Sequence, residues 1–330
     1  MTYPCWAGAC RRNTVKIKLK TLVLCMLFVQ SFAIAQDAAT VDQGKKLIGQ
    51  LAARSRTIPK RELLEELLGN REKHLPQVRE AALKGEREAR LMALRLLAEI
   101  KDPQAARIAG ESLDSKDPAI RRRAGSALML LEDNTQLEKV LSRLPIETDN
   151  GSLKALIAAA GSSGRANAAD LVRPHLRSEN ISVRVNAAIA LAKLGSMEAM
   201  GTILEGLQGA NMQARREATY GLGFFAAERQ KATVAAQAII DNPDGLWKSE
   251  AGISLLRLEL GAAKDKLELL STASKAGAPR VQAWAIQEIA RLGEKESEAW
   301  LRQRSTTDDP LGRFAGLQLL LKEGSSNARK

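Results

Sequence analysis

The stretch DPQAARIAGESLDSKDPAIRRRAGSALMLL, residues 102–131, decides the fold. It holds two helical patterns back to back. Asp102-Pro103 offers a capping carboxylate followed by a proline at the first helical position, and the apolar residues run on to about Leu113. Ser115-Lys116-Asp117 turns the chain, and Asp117-Pro118 repeats the same start for a second helix. There Ile120, Ala124, Ala127, Leu128 and Leu131 stand three or four apart and fall on one stripe.

The same pattern recurs along the chain. With Ala124 as the marker, equivalent alanines stand at Ala93, Ala155, Ala187, Ala218, Ala251, Ala285 and Ala315, at successive steps of 31, 31, 32, 31, 33, 34 and 30 residues. A helical unit of this length stacks on its neighbours and buries a continuous core between them. The expectation is an all-α chain, a right-handed α-solenoid of about eight helix pairs over 71–324, behind a helical N-terminal cap at 36–70. A short disordered tail is expected at 325–330. Aromatic residues make up only 3% of the 330-residue sequence, so small and aliphatic side chains must do the packing.

"DPQAARIAGESLDSKDPAIRRRAGSAL" (102–128) resembles the short bacterial type of HEAT repeat, as found in phycobilin-lyase subunits. "SVRVNAAIALAKLG" (182–195) and "PRVQAWAIQEIARLG" (279–293) are similar to its second helix. The resemblance covers about residues 70–324 and implies the fold. Its motifs are packing positions, so it implies little about activity. In that family an arginine at the start of the second helix pairs with a turn aspartate, here Asp117 with Arg121, making a ladder between repeats. The unit around 135–166 departs from the pattern, with a loose loop at 146–151 and no arginine before its alanine, and the unit around Ala251 matches weakly.

Residues 1–35 read as a secretion signal. Arg11, Arg12, Lys16, Lys18 and Lys20 precede an apolar run from Thr21 to Ala33, and Ala33-Ile34-Ala35 gives the small-x-small cleavage pattern before Gln36. The run is too short to cross a bilayer. Translation starting at Val15 would give a more compact basic region than a start at Met1. Cleavage removes all three cysteines (Cys5, Cys10 and Cys25), hence any disulfide or thiolate chemistry. It also removes five of the 50 basic residues and none of the 38 acidic ones, so the net charge falls from +12 to +7. The expected location is outside the cytoplasm, most simply a bacterial periplasm, with no integral membrane span after cleavage.

The candidate chemistry is sparse. His74 and His175 are the only histidines and read as unrelated surface or turn residues, so no metal site is expected. Gly221-Leu222-Gly223-Phe224-Phe225-Ala226 spells a dinucleotide fingerprint but sits inside a second helix instead of after a strand, and no cofactor is expected. Gly161-Ser162-Ser163-Gly164 lacks the nucleophile-elbow pattern, and no catalytic residues are assigned. Pro174 predicts a kink within 168–176.

Arg121, Arg184, Arg215 and Arg280 start second helices and read as structural. Arg122, Arg123 and Arg216 are extra, and form the candidate basic strip for binding carboxylates or phosphates. Trp247, Trp284 and Trp300 fall in the last third, near Tyr220, Phe224 and Phe225, and form a candidate aromatic patch. The expected function is an exported, non-enzymatic module that binds or scaffolds another protein. The alternative is a lyase-like or chaperone-like accessory acting on a cofactor-bearing partner. A nucleic-acid partner would need a stronger basic excess.

Overall fold

The computed structural model describes residues 71–327 apart from Asp244, together with Gly49. The expected signal segment and, Gly49 aside, the expected cap lie outside the described residues. Among those described there are sixteen α-helices and no strand. They form eight pairs: α1 (Arg71–Lys84) with α2 (Arg87–Glu99), α3 (Ala105–Ser112) with α4 (Pro118–Leu131), and α5 (Leu137–Arg143) with α6 (Asn150–Ser162). Then follow α7 (Ala168–Val172) with α8 (Ile181–Lys193), α9 (Met200–Gln208) with α10 (Met212–Gly221), and α11 (Arg229–Asp241) with α12 (Lys248–Leu260). The last are α13 (Lys266–Lys275) with α14 (Pro279–Leu292), and α15 (Lys295–Ser305) with α16 (Pro310–Asn327).

The marker alanines explain the stacking. Each lies in the second helix of its pair and each is buried, Ala251 as completely as Ala124. Every second helix packs against the next, from α2 through α16. A methyl side chain at the contact lets two helix backbones come close, and glycine goes further. A Cβ added to Gly161 of α6 would lie 2.6 Å from the Cα and Cβ of Ala190 on α8. The core divides once. One cluster of buried residues runs from Val78 to Leu258, and a second runs from Leu270 to Leu319.

Side-chain caps set where most second helices begin. Asp117 accepts from the Ala119 N–H at the start of α4, Asp149 from Ser152 at α6, Asn180 from Ser182 at α8, and Asn211 from Ala214 at α10. At Gly195, φ of +90° stops the helix that ends with Lys193. Pro174 falls where α7 gives way to a 3-10 turn over 173–177, so the expected kink is a change of helix type. The loop expected at 146–151 is shorter than the sequence implied, because a 3-10 turn reaches Ile146 and Asp149 already caps α6.

The arginine ladder exists, but with different partners. Asp117 is already spent on its own helix cap and on the Nε of Arg87, 2.7 Å away on α2. Arg121 therefore reaches forward to Glu147 and back to the carbonyls of Ser115 and Lys116. Arg184 donates to the carbonyls of Ser178 and Glu179 in the same way, and Arg215 to that of Gly209. These three arginines staple the turn between the two helices of a pair. The carbonyls they satisfy close the first helix, where no further turn of backbone donors follows.

Candidate functional site

A cavity of about 460 Å³ opens on the face made by the second helices, spanning α10, α12, α14 and α16. Its walls follow from the repeat register. Glu217, Glu250, Trp284 and Phe314 each stand one position before a marker alanine. Tyr220, Ile253 and Gln287 stand two after one, and Gln213 and Arg280 five before one. Those offsets share one helical stripe, about 100° around the helix from the buried alanines. In these four units the side chain just before the marker therefore faces the cavity.

The floor of the cavity is ionic. Arg216 donates from Nε to Oε1 of Glu250 at 3.0 Å, and Arg280 donates from Nη1 to the same oxygen at 2.7 Å. The Glu250 side chain is 5% exposed, against 39% for Arg216 and 56% for Arg280. Two guanidiniums thus share one buried carboxylate while keeping most of their donors toward the open side. The guanidinium of Arg216 also lies 5.3 Å from the centre of the Trp247 ring.

Trp247 holds the position before α12 that Asp or Asn fills in five of the other second helices, Asp309 before α16 included. Its φ is +68°, a left-handed conformation that bulky side chains rarely adopt, and its buried indole N–H has no acceptor among the described residues.

Beside the floor, Glu217 gathers a second polar group. It accepts from Lys154 Nζ at 3.0 Å, Asn186 Nδ2 at 2.9 Å and Gln213 Nε2 at 2.7 Å, and from the Ser182 hydroxyl. This ties α6, α8 and α10 together across the face.

The aromatic wall surrounds a cation. The guanidinium of Arg257 lies 4.4 Å from the centre of the Tyr220 ring, 4.2 Å from that of Phe224 and 5.4 Å from that of Trp284. It donates to the Tyr220 hydroxyl at 2.8 Å and to the Tyr220 carbonyl at 3.3 Å. Lys193 stands over the other side of Phe224 at 4.8 Å. Burial, then the positive charge of Arg257, hold the Lys193 amine below the usual lysine range.

The expected site residues divide accordingly. Arg216 and Trp284 line the cavity, and Trp247 stacks on Arg216. Arg122 and Arg123 occupy the same register stripe in α4, several units away, and do not converge on Arg216. Arg122 lies against Gly151 of α6. Arg123 is held below the usual arginine range by burial and then by Arg95 and Arg122. Trp300 belongs to a first helix, α15, and donates to the Ser271 hydroxyl of α13 at 3.0 Å. Like Trp284 and Phe314 it packs against the C-terminal core, but unlike them it does not line the cavity.

Residue type and position in sequence do not single out Arg257, Arg280 or Glu250 for binding; the fold brings them to the site. The repeat register does group Arg257 with two of its neighbours, because Lys193, Phe224 and Arg257 each stand six positions after a marker alanine.

His74 corrects the surface expectation: it is 2% exposed on α1, with no partner for Nδ1 among the described residues. No group of metal-ligating side chains occurs among the described residues. The glycine motif is packing. A Cβ on Gly221 would meet Ile189, and one on Gly223 would lie 3.0 Å from Ser254 Cα.

No family model and no curated protein matches the chain. Among solved structures it is similar to the complex of CpcE and CpcF of phycocyanin lyase from Nostoc sp., at 19% identity and a TM-score of 0.51. That match covers 69% of this chain and 92% of the other. Human deoxyhypusine hydroxylase matches at 17% identity over 79% of this chain and 99% of its own, but at a TM-score of 0.36 that likeness is too loose to bear on the fold. The fold is thus the HEAT-like stack of helix pairs that the repeat implied.

Proposed function

We propose that the chain is a non-enzymatic, exported module that binds another protein on the face of its second helices. The observation that carries this is the cavity between α10 and α16, where two partly exposed arginines and an aromatic wall open to one side. Arginine, tryptophan and tyrosine are the side chains that most often dominate protein interfaces, because they combine large contact area with directed donors. The two carboxylates of the cavity are engaged, Glu250 by Arg216 and Arg280 and Glu217 by Lys154, Ser182, Asn186 and Gln213.

A photoreactive amino acid at Gln287, in the cavity, tests it against one at Gln237, on the exposed face of α11. With the full chain in cells, a crosslinked protein is expected from position 287 and not from 237. No crosslink at 287 would count against the reading. Export is tested by the N-terminus of the recovered protein, expected at Gln36; a retained Met1 would refute cleavage.

A second reading is a lyase-like accessory to a cofactor-bearing protein. The likeness to the phycocyanin lyase complex favours it, together with a cavity walled by Tyr220, Trp284 and Phe314. A visible absorption band carried by the purified full chain would favour that reading over plain scaffolding.

A further inference from the structure

The charges around the cavity do not balance. Lys154, Arg216, Arg257 and Arg280 supply four cations to this face, and Glu217 and Glu250 return two carboxylates. Both carboxylates are committed: Glu250 to two arginines and Glu217 to Lys154, Ser182, Asn186 and Gln213. Among the described residues Arg257 is held by tyrosine oxygens and aromatic rings and by no carboxylate. A carboxylate brought between Arg216 and Arg280 would turn two guanidiniums around one anion into two around two. It would meet donors that Glu250 leaves unused. Beyond that floor Ile253, Ala283, Trp284 and Phe314 give the wall an apolar stretch on which an apolar side chain can rest.

The length of the site also restricts its occupant. The lining spans four successive second helices. Packed helices lie roughly 8–10 Å apart, so the span is roughly 25–30 Å. An extended chain covers that in about eight residues. A single carboxylate at a chain end would use only one end of such a site.

We propose that this cavity receives an internal acidic segment of a partner protein, about eight residues in extended form. Its Asp or Glu docks between Arg216 and Arg280, and a neighbouring apolar side chain rests on Trp284 and Phe314. The inference rests on the protein-binding reading above and names the chemistry of what is bound.

The test is selection of a displayed random peptide library on the full-length protein. Enrichment of Asp or Glu next to an aromatic or aliphatic residue is expected. Binding of a selected peptide, followed by fluorescence anisotropy, should fall at least about tenfold when its acid is replaced by the amide, since a hydrogen bond to a charged group is worth about 1.5–3 kcal/mol. It should fall as much in Arg280→Gln, and it should weaken with salt.

Removing both arginines alone would strand a buried carboxylate, so the clean variant is Arg216→Gln/Glu250→Gln/Arg280→Gln, with an unfolding curve to show that it folds. Enrichment of neutral or basic sequences, no enrichment, or full binding by the triple variant would overturn the proposal. So would peptides that bind only through a free C-terminal carboxylate. If those results came with a crosslink at position 287, the acidic-segment inference alone would fail. Without that crosslink, the protein-binding reading would fail with it.

Discussion

Arg121 donates from Nε and Nη2 to the two oxygens of Glu147, at 2.7 and 2.8 Å, across 26 residues of chain. The pair joins the start of α4 to the turn before α6, and the Glu147 side chain is completely buried. Breaking such a pair from one side leaves an uncompensated charge in the interior. Arg121→Ala is expected to lose about 3 kcal/mol in urea unfolding, and Arg121→Lys most of that, because a single ammonium cannot make the fork. A loss under about 0.5 kcal/mol would mean that Arg143, 3.6 Å from Glu147, can replace it.

The same pair sets an acid dependence. Burial alone would raise the Glu147 carboxyl. The Arg121 hydrogen bond, the Asp149 backbone N–H and the charges of Arg121 and Arg143 outweigh it and hold the group below the usual range. A carboxyl lowered in the folded state stabilises above its unfolded value, about 4.3. That stability drains away as pH falls through the folded value. Stability should therefore decline below about pH 4.3, and Arg121→Ala should flatten that part of the curve. An unchanged acid limb in the variant would exclude Glu147 as its source.

Gly161→Ala should destabilise, although alanine is the better helix former by about 1 kcal/mol. The added methyl would sit 2.6 Å from the backbone and Cβ of Ala190, and helices α6 and α8 would have to separate. A net loss of about 2 kcal/mol is expected in thermal or urea unfolding. Gly201→Ala, where nothing lies within 4 Å, is the control and should be neutral or mildly stabilising.

Lys193 should lose its proton below the usual lysine range. Competitive amine acylation read by mass spectrometry across pH 7–11 would report this. Arg257→Gln should move the Lys193 midpoint only part of the way back, since burial, the larger cause, remains. A midpoint at the ordinary lysine value in the wild type would contradict the burial seen around Phe224.

Hydrogen exchange should divide the stack where the core divides. Buried residues up to Leu258 form one cluster and those from Leu270 form another, so α13 to α15 should open as a unit separate from α1 to α12, whereas α16 carries Leu317 and Leu321 against the first cluster. A single protection level across residues 250–300 would show that the two halves unfold together.

Much of this was legible beforehand, and the residues say why. The marker alanines, the Asp117 and Asn180 caps and the Gly195 stop are local, and each works through its own few neighbours in sequence. The pairing of Arg121 was misassigned because Asp117 is adjacent in sequence while Glu147 lies a full unit away. Choosing between them required knowing that Arg87 already held Asp117. The cavity was half visible. Arg216 and Trp284 stood out by residue type, whereas Arg257 matters only because three rings from other turns and helices close around it. Trp300 misled for the reverse reason: residue type drew it into the patch, and its place on a first helix took it out.

Where the second helices line the cavity, the residue before the marker alanine faces it while the alanine faces in, so the two positions answer to different selections. One must stay small for the stack to close. The other varies from Lys154 to Asn186, Glu217, Glu250, Trp284 and Phe314 while the alanine beside it stays small and buried. The chain thus behaves as a row of interchangeable tiles, each printing one character on a common line. Grafting a unit from one position to another should move its character along that line, and with it the recognition pattern, while leaving the masonry intact.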